Sequence, residues 1–427
     1  MKPKLYFADE HDIDLSLIDS DALFILEKLH QAGFIAYLVG GSVRDLLLKK
    51  HPKDFDISTS ARPEEIKSIF QRRCILIGRR FRLAHIRFGH KIIEVSTFRS
   101  GENITGDLIV HDNEWGTPEE DVLRRDFTIN GLFYDSANQT VIDYVGGWED
   151  IQQHTLRVIG EPEIRFKQDP VRMLRLVKFE ARFGFNIEAN TEKAIYLFKQ
   201  EIVKSSQARV LEEIFRMLES GSASPFFQLL GKYGFFEILF SKLMKILHTK
   251  HGKRIFHYLS CADKIHLHKR KQLLDRSLLT SCFIFPILEY EIDKVFLKKN
   301  HVPHLGDIIL MASKLIKEFL VHDFPHFPRR ISSSMISILV GQYRLTPIGK
   351  RHYREKLYRH KDFNFALKFL KIRALVDEKW VDVYSNIREQ SLQHIQHGPK
   401  KHHHPPPKRD LQLTSNPSQE NLNDVPV

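Results

Sequence analysis

The sequence predicts a mixed α/β N-terminal portion followed by a predominantly helical remainder. Up to about residue 100, short apolar runs of strand length alternate with segments whose apolar residues recur at helical spacing. Beyond about residue 155 the strand signals fade and helical periodicity takes over. A length of 427 residues is too great for one compact core, so two or more domains are expected.

Residues 20–32, SDALFILEKLHQA, predict a helix with Ser20 as N-cap, an apolar stripe at Ala22, Ile25, Leu26 and Leu29, and Gly33 as its end. FIAYLV (34–39) reads as a buried strand, SVRDLLLKK as a helix, FDIST as a strand, and PEEIKSIF as a helix opened by Pro63. RCILI, LAHIRFG and KIIEVSTF read as further strands. Residues 101–120 are polar and Gly-containing and read as a mobile loop. DPVRMLRLVKFEARFG, ARVLEEIFRMLESG and DFNFALKFLKIRALVDEKW carry apolar residues at helical spacing. Between them lie basic stretches, KIHLHKRKQ and GKRHYREKLYRHK. From about residue 395 the chain loses apolar periodicity and reads as a disordered tail whose three adjacent histidines are solvated.

Lys and Arg total 65 against 53 acids, a net charge of +12 with histidine neutral. That excess points to a polyanionic partner, most simply nucleic acid, although a generally basic soluble protein has the same balance. The three cysteines, Cys74, Cys261 and Cys282, are far apart and odd in number, which fits a reducing compartment. There is no apolar run of membrane-spanning length and no apolar signal core, so a cytoplasmic protein without a membrane partner is expected.

The chemistry concentrates in LVGGSVRDLLLKKHPKDFDIST. On a strand, Asp54 and Asp56 would point to the same side. Alone, the pair reads as two surface acids. Converging, the two would repel, and a divalent cation would remove that repulsion. Hard carboxylate oxygens suit Mg²⁺, with Mn²⁺ as an alternative, and leave coordination positions for substrate phosphates. Gly40 and Gly41 let the backbone approach a ligand, Ser42 opens the following helix, and Arg44 can add a charged fork to a phosphate. Glu94, in KIIEVSTF, is a candidate third carboxylate.

GGSVRD, KDFDIST, RRDFTINGLFY (124–134), DYVGGWEDI (143–151) and DPVRMLR (169–175), in this order, resemble the class II nucleotidyltransferases, the bacterial poly(A) polymerases and tRNA CCA-adding enzymes. The resemblance implies an α/β head with a polymerase-β-like nucleotidyltransferase sheet, followed by all-α neck and body domains. The head would span 1–155, the neck 156–222, the body 223–394 and the tail 395–427. It implies Asp54 and Asp56 as metal ligands, Glu94 and Asp126 as further catalytic acids, and Gly41 and Arg44 as triphosphate contacts. Arg125 and Asp126 would meet the nucleotide and its ribose, and Arg124 and Asn130 would brace that segment.

Asp169 and Arg172, three apart on one predicted helix, would otherwise read as an intrahelical ion pair. The resemblance makes them a protein template for the incoming base. The carboxylate accepts from an exocyclic amine and the guanidinium donates to a ring nitrogen, which suits adenine and cytosine and rejects guanine and uracil. Gln168 stands where the family usually has Glu, which removes a charge that would orient Arg172. Lys178 stands where it usually has Arg; with Arg175 it would reach the triphosphate. The stretches 78–100, 208–221 and 360–376 resemble the poly(A) branch. The expectation is a template-independent poly(A) polymerase that uses ATP on single-stranded RNA 3′ ends and works with RNA-decay proteins. CCA addition to tRNA is the near alternative, and an inactive RNA-binding protein on the same fold the remote one.

Overall fold

The computed structural model describes residues 2–78, 83–100, 114–268, 274–348 and 362–396. Its N-terminal part is built on an eight-stranded sheet. The strands in chain order are β1 (Lys4–Tyr6), β2 (Ala36–Val39), β3 (Asp56–Thr59), β4 (Cys74–Ile77), β5 (Leu83–Phe88) and β6 (Lys91–Thr97). A small separate pair follows, β7 (Arg99–Ser100) with β8 (Glu114–Trp115), and then β9 (Leu132–Asp135) and β10 (Thr140–Asp143) complete the main sheet. Its spatial order is β1-β10-β9-β2-β3-β6-β5-β4. Every neighbouring pair is antiparallel except β3 and β6, whose parallel register sets Asp56 against Glu94. Apolar residues of one face, such as Ile57 and Val95, join the main core. Val39, Phe98 and Phe133 form a smaller cluster.

The predicted head elements form, with local corrections. Asp19, not Ser20, caps the helix Ser20–Gln31, because its carboxylate accepts the Asp21 N–H at 2.9 Å. β2 starts at Ala36 rather than Phe34, since Gly33 (φ 85°) and Phe34 still turn back on the helix through bonds to His30 and Leu29. β3 starts at Asp56, so Asp54 lies just outside the strand. Of the expected loop, residues 101–113 lie outside the described residues. The rest is ordered: β8 is followed by the helix Pro118–Leu123, which Thr117 and Glu120 close with a capping box.

After β10 the chain is helical apart from a short parallel pair, β11 (Thr155–Leu156) with β12 (Asn186–Ile187). Val171–Phe183 ends at Gly184, whose φ of 71° allows its N–H to close on the Glu180 carbonyl. Gln207–Leu218 packs against it. Further on, Arg276–Val295 is buried on nearly all sides over residues 277–288, as expected of a helix apolar all round, and Lys250–His268, Leu305–Ile316 and Arg329–Leu345 pack against it. One apolar cluster runs from the sheet through Leu174 to Phe283. The last helix, Val381–Gln396, continues two residues past 394; the rest of the predicted tail, the segment 349–361 and the end of KIHLHKRKQ lie outside the described residues. No helix of the described residues is long and apolar enough to cross a membrane.

Gly147 opens the helix Gly147–Gln152, and a Cβ there would stand 2.2 Å from the Thr128 carbonyl oxygen, inside the RRDFTIN segment. Backbone cannot yield as a side-chain end can. Gly147→Ala is expected to lower stability by about 1–3 kcal/mol, seen as a reduced melting temperature, because it overpacks a closed contact.

Candidate active site

The sheet brings three acids to one place. Phe55 is buried, so Asp54 and Asp56 on either side of it stay open to solvent. Glu94 stands abreast of Asp56 on β6, and His85 on β5 places Nε2 3.3 Å from Glu94 Oε1. Although Asp56 retains accessible area, its protein surroundings desolvate the carboxylate. That desolvation, with the charges of Glu94 and Asp54, pushes its pKa up to about 6 against the pull of Arg125. A cation would relieve this repulsion. Among the described residues no three His, Cys, Asp or Glu side chains are grouped to hold a metal ion by themselves. Two carboxylates with room for waters and phosphate oxygens suit Mg²⁺ better than a closed protein cage would.

The glycine turn lies beside them. Gly40 has φ 68°, and a Cβ on it would sit 3.3 Å from Arg125 Nη1. Ser42 Oγ donates to the Val39 carbonyl at 3.0 Å, so its hydrogen closes the turn. Arg44 is buried. Its Nε and Nη2 donate to Asp45 Oδ1 at 2.9 and 2.7 Å, and Nη1 donates to Asn130 Oδ1 at 2.5 Å. Its guanidinium lies 5.2 and 4.7 Å from the rings of Phe179 and Phe183. Arg44 therefore ties this helix to the Val171–Phe183 helix while it forms part of the cavity wall.

In RRDFTIN, Asp121 anchors both arginines. It is 1% exposed and accepts from Arg124 Nη2 and Arg125 Nη2, each at 2.8 Å. Arg125 also reaches Ser58 Oγ at 3.3 Å. Asp126 Oδ1 accepts the Phe127 N–H at 2.9 Å and Asn130 Nδ2 at 3.1 Å, while Oδ2 accepts Arg175 Nε at 2.8 Å. Burial opposes ionisation of Asp126, but Arg175, Asn130 and Arg172 together hold its pKa below the ordinary carboxylate value.

Asp169 and Arg172 do not share one helix. Asp169 ends Pro162–Gln168 with φ −145° and ψ 87°, and Val171–Phe183 begins after Pro170. The proline ring drives the residue before it out of the helical region. The two side chains accordingly have separate anchors. Asp169 Oδ2 accepts Arg209 Nη2 at 2.9 Å; Arg172 donates to the carbonyls of Arg165 and Arg124, both at 3.3 Å. Arg165 bonds the carbonyls of Arg124 and Arg125 at 3.0 and 2.6 Å, and burial, with Arg172 nearby, lowers its pKa to about 9. Gln168 accepts from Arg165 Nη1 at 3.4 Å. Lys178 Nζ lies 2.7 Å from Glu213 Oε2 on the Gln207–Leu218 helix.

These groups line one cavity of about 480 Å³. Gly40, Gly41, Arg44, Asp56, Arg125, Asp126, Asp169, Arg172, Arg175 and Lys178 form its wall, and Arg124, Asn130, Phe179 and Arg182 complete it. Asp54, Glu94 and Ser42 adjoin these residues in chain or sheet without lining it. The volume suits a nucleotide-sized ligand.

Residues 36–157 match the poly(A) polymerase head-domain family, and residues 184–247 match a family described as the probable RNA- and SrmB-binding site of polymerase A. Poly(A) polymerase I of Escherichia coli O6:H1 is 36% identical over 385 residues, covering 86% of this chain and 81% of that protein. The chain belongs to the bacterial poly(A) polymerase I family. The CCA-adding enzyme of Lactobacillus helveticus is 42% identical over 198 residues, covering 46% of this chain and 49% of that one. The solved Bacillus stearothermophilus CCA-adding enzyme in complex with CTP is similar at TM-score 0.63 and 25% identity, over 87% of this chain and 82% of that chain. The poly(A) polymerase I family and the CCA-adding enzymes thus share this fold, and both are nucleotidyltransferases.

In this family member the sequence reading missed Asp121, Asp45, Glu213, Arg165 and Arg209, the groups that hold the wall from behind. Asp121 carried a signal, standing three and four residues before Arg124 and Arg125. Asp121→Ala would leave two partly buried guanidinium groups without their carboxylate. It is expected to cost about 3 kcal/mol of stability and at least tenfold in kcat/KM for the nucleotide, measured by melting and steady-state kinetics.

Proposed function

We propose that this chain is a template-independent poly(A) polymerase, transferring AMP from ATP to RNA 3′ ends with release of pyrophosphate. The observation that carries the reading is the acid group Asp54, Asp56 and Glu94 beside a nucleotide-sized cavity walled by cations. The cations draw in the triphosphate, and the pairs behind them fix its place before reaction. The RNA 3′ oxygen forms a bond to the α-phosphorus as the bond to pyrophosphate breaks, and its proton leaves through the carboxylate group. Mg²⁺, or Mn²⁺ in its place, held by Asp54 and Asp56, supplies neutralisation of the developing charge. Asp169 and Arg172 read the edge of adenine.

Similarity to poly(A) polymerase I extends over most of the chain, whereas the Lactobacillus CCA-adding enzyme matches about half of it, which favours poly(A) addition. CCA addition stays as the second reading, because a carboxylate and a guanidinium suit adenine and cytosine alike. The intact acids argue against an inactive RNA-binding protein. We keep the division into head (1–155), neck (156–222) and body (223–394). We place the enzyme in the cytoplasm with RNA-decay proteins as partners; its buried free thiols suit a reducing compartment.

The test supplies each nucleoside triphosphate singly with Mg²⁺ to a generic RNA and to a tRNA lacking its 3′ CCA. A long ladder from ATP on generic RNA is expected, and the double variant Asp54→Ala, Asp56→Ala should abolish it with the melting temperature nearly unchanged. Three-nucleotide growth confined to the tRNA and dependent on CTP would establish the second reading instead.

For the RNA itself, the body offers a basic and aromatic surface where the start of Lys250–His268 meets the end of Arg276–Val295. His251 packs against Tyr290 in a tilted arrangement, with ring centres 4.1 Å and planes 31° apart, and Lys294 lies 5.6 Å from the same ring. Phe296 stacks on His301 at 5.7 Å, and the charges of Lys250, Arg254 and Lys298 all act on His251. Cations beside aromatic faces hold a single strand through phosphates and stacking, with little sequence readout. Lys250→Glu with Lys298→Glu should weaken long-RNA binding and lower the salt slope of that binding by about 2, leaving KM for ATP unchanged; filter binding across a salt series checks this.

A further inference from the structure

Asp56 stands at a boundary within the sheet. On one side lie β2 and the glycine turn, which with Arg44 belongs to the wall of the nucleotide-sized cavity. On the other side lie β6, β5 and β4, none of whose residues lines it. Register sets the outward side chains of these three strands in rows. Glu94, His85 and Ile75 form one row beside Asp56, Ile92 and Arg87 a second, Leu83 and Ile77 a third. The alternate residues Val95, Ala84 and Cys74 are buried in the core behind them. A solvated face of an antiparallel sheet is ordinarily polar. Here Ile75, Ile77 and Ile92 are 37%, 46% and 46% exposed. Apolar side chains left open together in this way mark a surface that is covered in use. Arg87 is exposed among them and pairs with no acid of the described residues, unlike Arg44, Arg124, Arg125, Arg175 and Lys178 of the cavity.

We infer that this open strip of β6, β5 and β4, with Arg87 among Ile75, Ile77 and Ile92, holds the last nucleotides of the RNA strand whose 3′ oxygen attacks. The inference rests on the reading that Asp54, Asp56 and Glu94 are the site of transfer. Attacking and leaving oxygens stand roughly in line across the phosphorus. The leaving pyrophosphate belongs with the cations of the cavity, so the attacking oxygen comes from the far side of the acids, over β6. From β6 to β4 the strip is about 10 Å wide, because neighbouring strands lie about 4.8 Å apart. At about 3.4 Å per stacked nucleotide that leaves room for two or three. Isoleucine side chains and a guanidinium plane offer contact to any base face, and the guanidinium charge meets a phosphate. Such contacts choose no base, which suits a strand whose end is renewed at every addition. A protein docked on the same strip would close the approach to Glu94, so RNA is the occupant that the place favours.

The experiment measures kcat and KM with Mg²⁺ and ATP on a four-nucleotide oligoadenylate, which confines contacts to the 3′ end. Wild type is compared with Arg87→Glu, Arg87→Lys and the double variant Ile75→Asp, Ile92→Asp, with melting temperatures recorded. Arg87→Glu should raise KM for the primer about tenfold and leave KM for ATP within about twofold, and Arg87→Lys should recover part of the loss. The double variant should raise primer KM about fivefold. In a second arm, a longer RNA with 4-thiouridine at its last or second-last position is photo-cross-linked to wild type, and should join peptides from β5 and β6. Primer KM unchanged in Arg87→Glu, or cross-links that reach only the body surface about His251, overturns the inference and leaves the transfer site standing. If the protein extends only a tRNA lacking its CCA, the same constants are read on that acceptor with CTP, where the same losses are expected. If Asp54→Ala, Asp56→Ala retains transfer, the reading of the acids falls and the inference falls with it.

Discussion

The site depends on one electrostatic constraint: many cations must stand around a single cavity without forcing it apart. Each is held from behind or from the side. Asp121 takes Arg124 and Arg125, Asp45 takes Arg44, Asp126 takes Arg175, and Glu213 takes Lys178. Buried pairs of this kind are weak evidence for stability, because desolvation offsets much of the attraction. Their consequence here is geometric. The donors are oriented by the protein alone, and on the proposed reading that leaves little reorganisation for the reaction itself.

The same pairing joins the two halves of the molecule at the site. Asn130 accepts from Arg44 and donates to Asp126, and Asp126 accepts from Arg175. A bond path therefore runs from the helix after the glycine turn, through RRDFTIN, to the helix Val171–Phe183. The rings of Phe179 and Phe183 beside the Arg44 guanidinium reinforce it with apolar contact. Glu213 and Arg209 extend the path to the next helix, where Glu212 and, at its end, Glu219 in turn hold Arg276 at the start of Arg276–Val295. The cavity wall around Arg44 and the wall around Asp169 are thus joined through one chain of bonds.

Much of this was legible in the chain because its signals are local. The glycine turn, the alternation around Phe55 and the strand containing Glu94 are each a few residues long, and β-sheet register then set Asp56 against Glu94. Two misreadings were also local. Asp19 outcompeted Ser20 as a cap because its carboxylate reaches the second N–H of the helix. Asp169 was assigned to the helix of Arg172, although Pro170 already implied that the residue before it would be extended. What the sequence could not show was pairing across long separations. Arg44 meets Asn130 over 86 residues, Asp126 meets Arg175 over 49, and Asp169 meets Arg209 over 40.

That division bears on the role of Gln168. Read along the chain, it removes a charge that should orient Arg172. In the folded protein two carbonyls orient Arg172, and Gln168 bonds Arg165 instead. A neutral side chain suffices at that position because the guanidinium of Arg165 already has the carbonyls of Arg124 and Arg125 as acceptors. A second carboxylate packed there would lie beside Asp169, whose Oδ1 has no donor of its own. Gln168 therefore supplies no orienting charge, and the orientation of Arg172 is left to backbone carbonyls, which cannot titrate.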